Sequence, residues 1–540
     1  MWNIDRGEVE QIALWEDFTP SGVSDRIERL SMFEQQAVST ALTVDDGDRS
    51  LVAAVGFSAR ATAALLPFER DLSMVAGPFN FVAFLVTLVP GYALTTPEHG
   101  SGYVTKLRSL PSFLDGWTAG LREGMAAGRV ATRRGVSHAI DGLDGLLTLE
   151  IDDDPLLRQD PPLEMSEADV NNWRSSVSSA IRDEVRPALA RLRKMMADEL
   201  LPAGRSDEHA GLCHMVDGDS SYSSLLAAAT STELTADEVH GLGLDRLALL
   251  DDEYATLGQA VFATDTLSEV RERLRNDKSL RYDTPDEIIA DAMSALGRAQ
   301  AAAPNWFDRL PLAQCRVVPT QAGAMAFYTA PSPDGAREGA FFIKTSNPRS
   351  WMRYLLEATT FHESVPGHHL QLALAGELGL HPVLGELEVA SYGEGWGLYA
   401  ERLADEMNLY TSDLQRLGML TLDSLRAARL VVDTGLHARG WSRQRAIDFL
   451  LDNTALERSN AEGEIDRYIA TPGQATSYMI GRLEIERLRM MAQREQGHQF
   501  DVAAFHNVVL NAGMTPLYDL ARRVDDWISE RRHSGVTRGR

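Results

Sequence analysis

Cysteine is almost missing. Cys213 and Cys315 are the only two in 540 residues, and they lie about a hundred positions apart. They make neither a disulfide framework nor a metal-binding spacing, so each reads as a small buried hydrophobe. Positive charge is in deficit: 52 Lys and Arg face 78 Asp and Glu, a formal net charge of −26. That balance argues against nucleic acid as a partner and against an anionic membrane surface, although a pocket can still be locally basic. A bilayer-spanning run is not evident. The most apolar stretch, Phe79–Leu94, is too short and contains Pro90. The N-terminal MWNIDRGEVEQIALWEDF carries acidic residues and no apolar h-region, so no secretory signal and a cytoplasmic protein are expected. Also missing are a P-loop, a dinucleotide fingerprint (GMAAG at 124–128 is a weak glycine pattern in a helical context), G-x-S-x-G and any fixed-period repeat. Nucleotide enzymes and serine hydrolases therefore have no motif support.

What is present in excess is histidine at one place. Phe361–Leu372, FHESVPGHHLQL, holds three of the chain's 13 histidines, with Glu363 beside the first. His and Glu are poor core residues, and Pro366–Gly367 damages an ordinary helix. Such a density points to a divalent metal centre, zinc by preference, with Glu363 as general base. The standard zinc-hydrolase pattern H-E-x-x-H is not met, because Pro366 stands at its fifth position. On a straight helix His369 shares a face with His362 but sits roughly 10 Å further along, while His368 points elsewhere. If Pro-Gly makes the helix bulge or reset within 364–367, His368 returns to the face of His362. His368 is the expected second ligand and His369 the alternate.

HESVPGHHLQ, followed by EGWGLYAE, resembles the bacterial domain-of-unknown-function 885 family. Further resemblance lies at SSYSSLLAAATSTELTADEVHGLGL (220–244), AFYTAPSPDGAREGAFFI (326–343) and RYIATPGQATSYMIGRLEI (467–485). That family is regarded as metallopeptidases, distantly similar to gluzincins such as angiotensin-converting enzyme and carboxypeptidase Taq. The resemblance implies a third ligand, a glutamate on a later helix. In SYGEGWGLYAERLADEM (391–407) this is Glu394, flanked by Gly393 and Gly395, as if backbone must come close there. Glu401, two turns along, is then an acceptor for a ligating histidine. Related gluzincins place a tyrosine from a distant helix at the oxyanion, which implies Tyr478. Gln474 and Arg467 are expected to bind substrate, and Arg467 to hold a C-terminal carboxylate. The ordinary alternatives are Tyr478 as a core aromatic and Arg467 in an ion pair with Asp466 or Glu464.

The rest of the chain frames this site. Apolar residues recur at helical spacing in 116–127, 168–200 and 236–257, and Thr235 with Glu238 makes a capping box. Proline-rich breaks fall at 155–162 and 202–207. The short β-branched and aromatic runs 315–319, 325–330 and 340–345 predict a small antiparallel sheet, turned at SPDGAREG. In zinc peptidases of this kind such a sheet lies beside the site, where an edge strand can bind an extended substrate. Asn347–Pro348 predicts the start of the helix that carries His362. Helices are expected again over 412–437, 442–451, 477–494 and 518–532.

Together these features predict a mainly α-helical, metallopeptidase-like fold with a small antiparallel sheet beside a deep central cleft. Three regions are expected, 1–305, 306–346 and 347–540, forming one integrated catalytic unit. The expected activity is hydrolysis of an amide, in a short peptide, by water activated at one zinc per chain. A metal-dependent amide or ester hydrolase of specialised metabolism, or an inactive binding protein on the same fold, are the alternatives. The expected partner is a peptide or small amide, with no nucleic acid and no membrane, and the oligomeric state is open.

Overall fold

Long amphipathic segments dominate the sequence, and helices dominate the structure. The computed structural model describes residues 12–77, 80–321, 323–332, 337–385 and 387–537. Of the sequence expectations, the start of the N-terminal segment, Phe79 and the centre of the SPDGAREG turn lie outside these residues.

The first part of the chain is built of helices. Pro20–Thr40 (α1) and Asp46–Phe68 (α2) form a hairpin, and Pro97–Ala126 (α3) packs against α1. The expected amphipathic segment at 168–200 is helical throughout, with two wide π-type turns at Ile181–Val185 and Met196–Leu200. Each precedes a proline, Pro187 and Pro202. A proline has no N–H to give and crowds the preceding turn, so the ladder widens there. Ala236–Phe262 (α4) opens with the predicted capping box: Glu238 N–H donates to Thr235 Oγ1 at 3.3 Å, and Thr235 N–H to Glu238 Oε2 at 2.8 Å.

The sheet has three strands, Cys315–Thr320 (β1), Ala326–Thr329 (β2) and Gly339–Lys344 (β3), in the order β1-β3-β2. It is mixed rather than purely antiparallel. β2 and β3 form an antiparallel pair, and β3 lies in the middle, parallel to β1. β2 occupies the far edge and β3 inserts between it and β1. β3 buries Gly339, Phe341 and Ile343 on one face. On the other face Phe342 stacks on Phe327 at 4.8 Å. β2 pairs only with β3, so its outer edge is unpaired among the described residues.

The helix expected from Asn347–Pro348 begins later. Pro348–Ser350 and Arg353–Leu355 are single 3₁₀ turns, and Asn347 makes no capping bond. Between them Trp351 and Met352 are held extended: Tyr282 N–H donates to Trp351 O, and Met352 bridges to Arg281. The helix proper is Leu356–Glu363 (α5), followed after a break by His368–Glu377 (α6). Ala390–Glu406 (α7), Asp413–His437 (α8), Arg458–Ala470 (α9) and Ser477–Gln496 (α10) complete the surroundings of the site. A large apolar core runs through both the early and late helices, from Ile12 to Ile528, and a smaller cluster around Tyr254, Tyr354 and Leu417 lies apart from it.

α7, α8 and α10 are tied together by a buried ionic cluster. Asp423 accepts from Arg402 Nη2 at 2.6 Å and from Arg482 Nη1 at 2.6 Å, with Arg246 at 3.5 Å. Burial works to raise the Asp423 carboxyl, and the three guanidiniums overcome it and hold it well below the carboxylate range. Removing this buried anion takes away the partner that the three arginines share and leaves Arg402 to Glu253 and Arg482 to Glu486. Asp423→Ala is expected to cost about 3–5 kcal/mol of stability at neutral pH, measured by chemical denaturation. Because the folded value is depressed, the Asp423 contribution is present above the unfolded carboxylate pKa and is lost as pH falls through the folded one. The variant and parent should therefore converge in strongly acidic buffer.

Candidate metal centre

α5 ends at Glu363, and the chain then departs from helical geometry through Ser364–Gly367, with a cis Val365–Pro366 peptide. Pro366 brings no N–H, so the ladder breaks there. Ser364 O receives the His369 N–H at 3.1 Å, and the Trp396 indole of α7 donates to Pro366 O at 2.9 Å. α6 starts afresh at His368. The chain therefore resets within 364–367 by a complete break, where a bulge in a continuous helix was the other possibility.

This reset puts His362 and His368 side by side, with ring centroids 4.7 Å apart. Glu394 Oε2 of α7 lies 3.4 Å from His362 Nε2 and 3.5 Å from His368 Nε2. The three donor atoms all lie within 4.8 Å of one another. Ligands about 2.0–2.1 Å from a tetrahedral zinc stand roughly 3.3 Å from each other, so the donor set fits such an ion in chemistry and in spacing. The tautomer fits too. Glu401 Oε1 takes the His362 Nδ1–H at 2.8 Å, which leaves the Nε2 lone pair for a cation. Burial works to lower the His362 imidazole, but the Glu394 and Glu401 carboxylates carry it up to about 10. Burial raises Glu394, and hydrogen bonds from both histidines bring it well below its ordinary value.

His369 faces away. Its Nε2 meets the Ala313 carbonyl at 3.2 Å, which can only accept, so Nε2 carries the proton and Nδ1 accepts the Tyr328 hydroxyl at 2.8 Å. Burial pushes this imidazole down to about 4, so it stays neutral. It anchors β2 to α6.

Glycine backbone makes the approach of Glu394 possible. A side chain on Gly395 would lie 2.6 Å from the Gly481 backbone of α10, so α7 and α10 touch main chain to main chain. A Cβ on Gly397 would lie 2.8 Å from His362 Nε2. Gly393, also expected at a close approach, has room around it.

The site opens into a cavity of about 540 Å³, a size suited to a small ligand. Glu363, Tyr328, Arg426, Arg429 and Tyr478 line it with the three donor residues. Burial raises the Glu363 carboxyl, against the pull of His368 and His362. Burial pushes the Tyr478 hydroxyl up to about 12, and its ring lies 4.8 Å from the Arg429 guanidinium. Arg467 and Gln474 do not line this cavity. Arg467 Nη1 donates to Gln474 Oε1 at 2.6 Å and Nη2 to Glu464 at 3.0 Å, the ion pair that was the ordinary alternative. Arg426 and Arg429 were missed. Their signal was present: two arginines one turn apart in LRAARLVV, otherwise a buried apolar stretch of α8.

The profile of the family described as bacterial protein of unknown function (DUF885) matches residues 3–524. No curated protein matches the chain. Among solved structures, one described as a "putative lipoprotein" from Colwellia psychrerythraea is 24% identical, with TM-score 0.86, covering 96% of this chain and 93% of that one. Another, described as a "putative lipoprotein of unknown function" from Shewanella oneidensis, is 17% identical, with TM-score 0.70, covering 95% and 94%. These likenesses show a shared fold. They also overturn the cytoplasmic expectation. Composition reads the folded body, and a lipid-anchored protein has the same kind of body as a soluble one. One helical stretch, Asp48–Ala76, is long and apolar enough by composition to cross a membrane, as buried core helices also are.

Three substitutions test the ligand geometry by titrating zinc into metal-stripped protein in a calorimeter. His368→Ala should abolish stoichiometric binding, whereas His369→Ala should retain it; the reverse outcome would move the ligand. Glu401→Gln should weaken zinc by about 10–100-fold, the usual worth of a carboxylate behind a ligating histidine. With its family profile covering nearly the whole chain, the protein is a member of the bacterial DUF885 family.

Proposed function

We propose that this protein is a zinc-dependent hydrolase of amide bonds, acting on short peptides. The observation that carries the reading is one cavity wall bearing His362, His368 and Glu394 as a three-donor set with Glu363 beside it. A divalent ion held by those three residues would act as a Lewis acid, polarising the scissile carbonyl and acidifying water. Glu363 takes the proton of the attacking water. Its burial keeps its basicity above that of an exposed carboxylate, closer to what general-base work at neutral pH needs. The same carboxyl then delivers the proton to the leaving amine. Tyr478, whose hydroxyl stays protonated at neutral pH, donates to the developing oxyanion. The unpaired edge of β2, which contributes Phe327 and Tyr328 to the cavity, offers main-chain partners to an extended peptide. Tyr328 has its hydroxyl proton engaged by His369 and presents lone pairs, so it is suited to accept a substrate N–H.

Zinc-loaded protein should hydrolyse members of a short-peptide library, followed by mass spectrometry. Glu363→Gln should retain about one zinc per chain and lose roughly two to four orders of magnitude in rate, the usual worth of acid–base catalysis. Near-normal turnover by that variant would remove Glu363 from the mechanism, and a zinc-loaded parent inert on every peptide would defeat the reading itself.

A further inference from the structure

The two arginines of α8 have guanidinium donors that the described residues leave without an acceptor. Arg429 is only 8% exposed. Its Nη2 and Nε reach Glu464 Oε2 at 2.9 Å and 3.2 Å, and Nε also reaches the Tyr468 hydroxyl. Glu464 also serves Arg467, so two guanidiniums share one carboxylate. Arg429 Nη1 is buried and has no hydrogen-bond partner among the described residues.

Arg426, one turn earlier on the same face, stands 3.7 Å from Glu401, whose Oε1 is already engaged by His362. Its Nε is likewise buried and unpartnered. Both arginines line the metal cavity, and both lie over the Tyr478 ring, at 5.9 Å and 4.8 Å.

Asp433, one turn beyond Arg429, does not supply the missing anion. Its carboxyl receives the Tyr222 hydroxyl at 2.6 Å and the Gly473 N–H at 3.0 Å, and burial pushes it up to about 7. The remaining carboxylates on the cavity wall are Glu394 of the donor set, Glu363, and Glu388 at the exposed rim. A buried guanidinium donor without an acceptor is costly, and guanidinium N–H groups are suited to carboxylate oxygens.

We propose that Arg429, assisted by Arg426, is a carboxylate seat, and that the substrate is a peptide bearing a free carboxylate near the scissile amide. The proposal rests on the hydrolytic reading of the cavity and adds the substrate class to it. The carboxylate fills the Nη1 and Nε donors that the described residues leave open, and it sits beside Tyr478, the proposed oxyanion donor. Arg467, behind Glu464 and bonded to Gln474, only supports Arg429 from the rear.

The test uses three matched N-acylated tripeptides with zinc-loaded protein: a C-terminal acid, the same sequence as its amide, and an amide with Asp at the last position. The acid, the Asp-bearing amide, or both should exceed the neutral amide in kcat/KM by about 10–100-fold, the worth of hydrogen bonds to a charged group. Which of the two wins tells a terminal from a side-chain carboxylate. Arg429→Met should bring the favoured peptide down to the neutral amide, and Arg429→Lys should recover part of the preference, with folding of both checked by thermal melts. Equal kcat/KM for all three peptides in the parent overturns the proposal while leaving the hydrolase reading intact. If no peptide is cleaved, the hydrolase reading fails, and calorimetric binding of the same peptides to zinc-loaded Glu363→Gln protein decides the seat. Tighter binding of a carboxylate peptide that is lost in Glu363→Gln/Arg429→Met supports it, and equal binding of all three overturns it.

Discussion

The candidate site depends on one interruption of a helix. Between Glu363 and His368 the ladder stops, because Pro366 cannot donate, and the chain is caught from the side by the Trp396 indole on Pro366 O. Without that break, two histidines six residues apart would point to different sides of a cylinder. With it, they face each other and a third donor. The same indole belongs to α7, which carries Glu394, so the element that holds the break also delivers the carboxylate. Position and clamp are coupled in one helix, and a shift of α7 would disturb both.

Around this point the fold uses charge in two ways. Asp423, Arg402 and Arg482 are matched inside the protein and serve as struts between α7, α8 and α10. Such clusters are poor sources of net stability, but they are expensive to break, and they fix how helices sit against one another. Arg426 and Arg429 are different. They stand on the cavity side of the same helix and are only partly matched. A chain with a net charge of −26 thus places two partly matched arginines beside the candidate donor set.

Histidine plays two roles in adjacent positions. His368 keeps its Nε2 for the donor cluster, while His369 spends both ring nitrogens on Tyr328 and the Ala313 carbonyl. Composition cannot separate them, because both are histidines in one motif. The separation comes from the strand: β2 brings Tyr328 to one of them and not to the other. The sheet thereby does structural work at the site as well as offering its free edge.

Much of this was legible in the amino-acid order. The helical periodicity, the capping box at Thr235, the three short strands and the density of His and Glu around Pro366–Gly367 are local features, set by propensity and spacing within a few residues. The resemblance to the DUF885 family brought Glu394, Glu401 and Tyr478 into view from afar. What the order of residues did not contain was contact between distant segments. The insertion of β3 between β1 and β2, the delayed start of α5 after an extended Trp351, the pairing of Arg467 with Gln474 and the arrival of Arg426 and Arg429 at the cavity all depend on which helix faces which. Those choices are made by packing and by the matching of buried charges across the whole chain, and only the tertiary structure decides them.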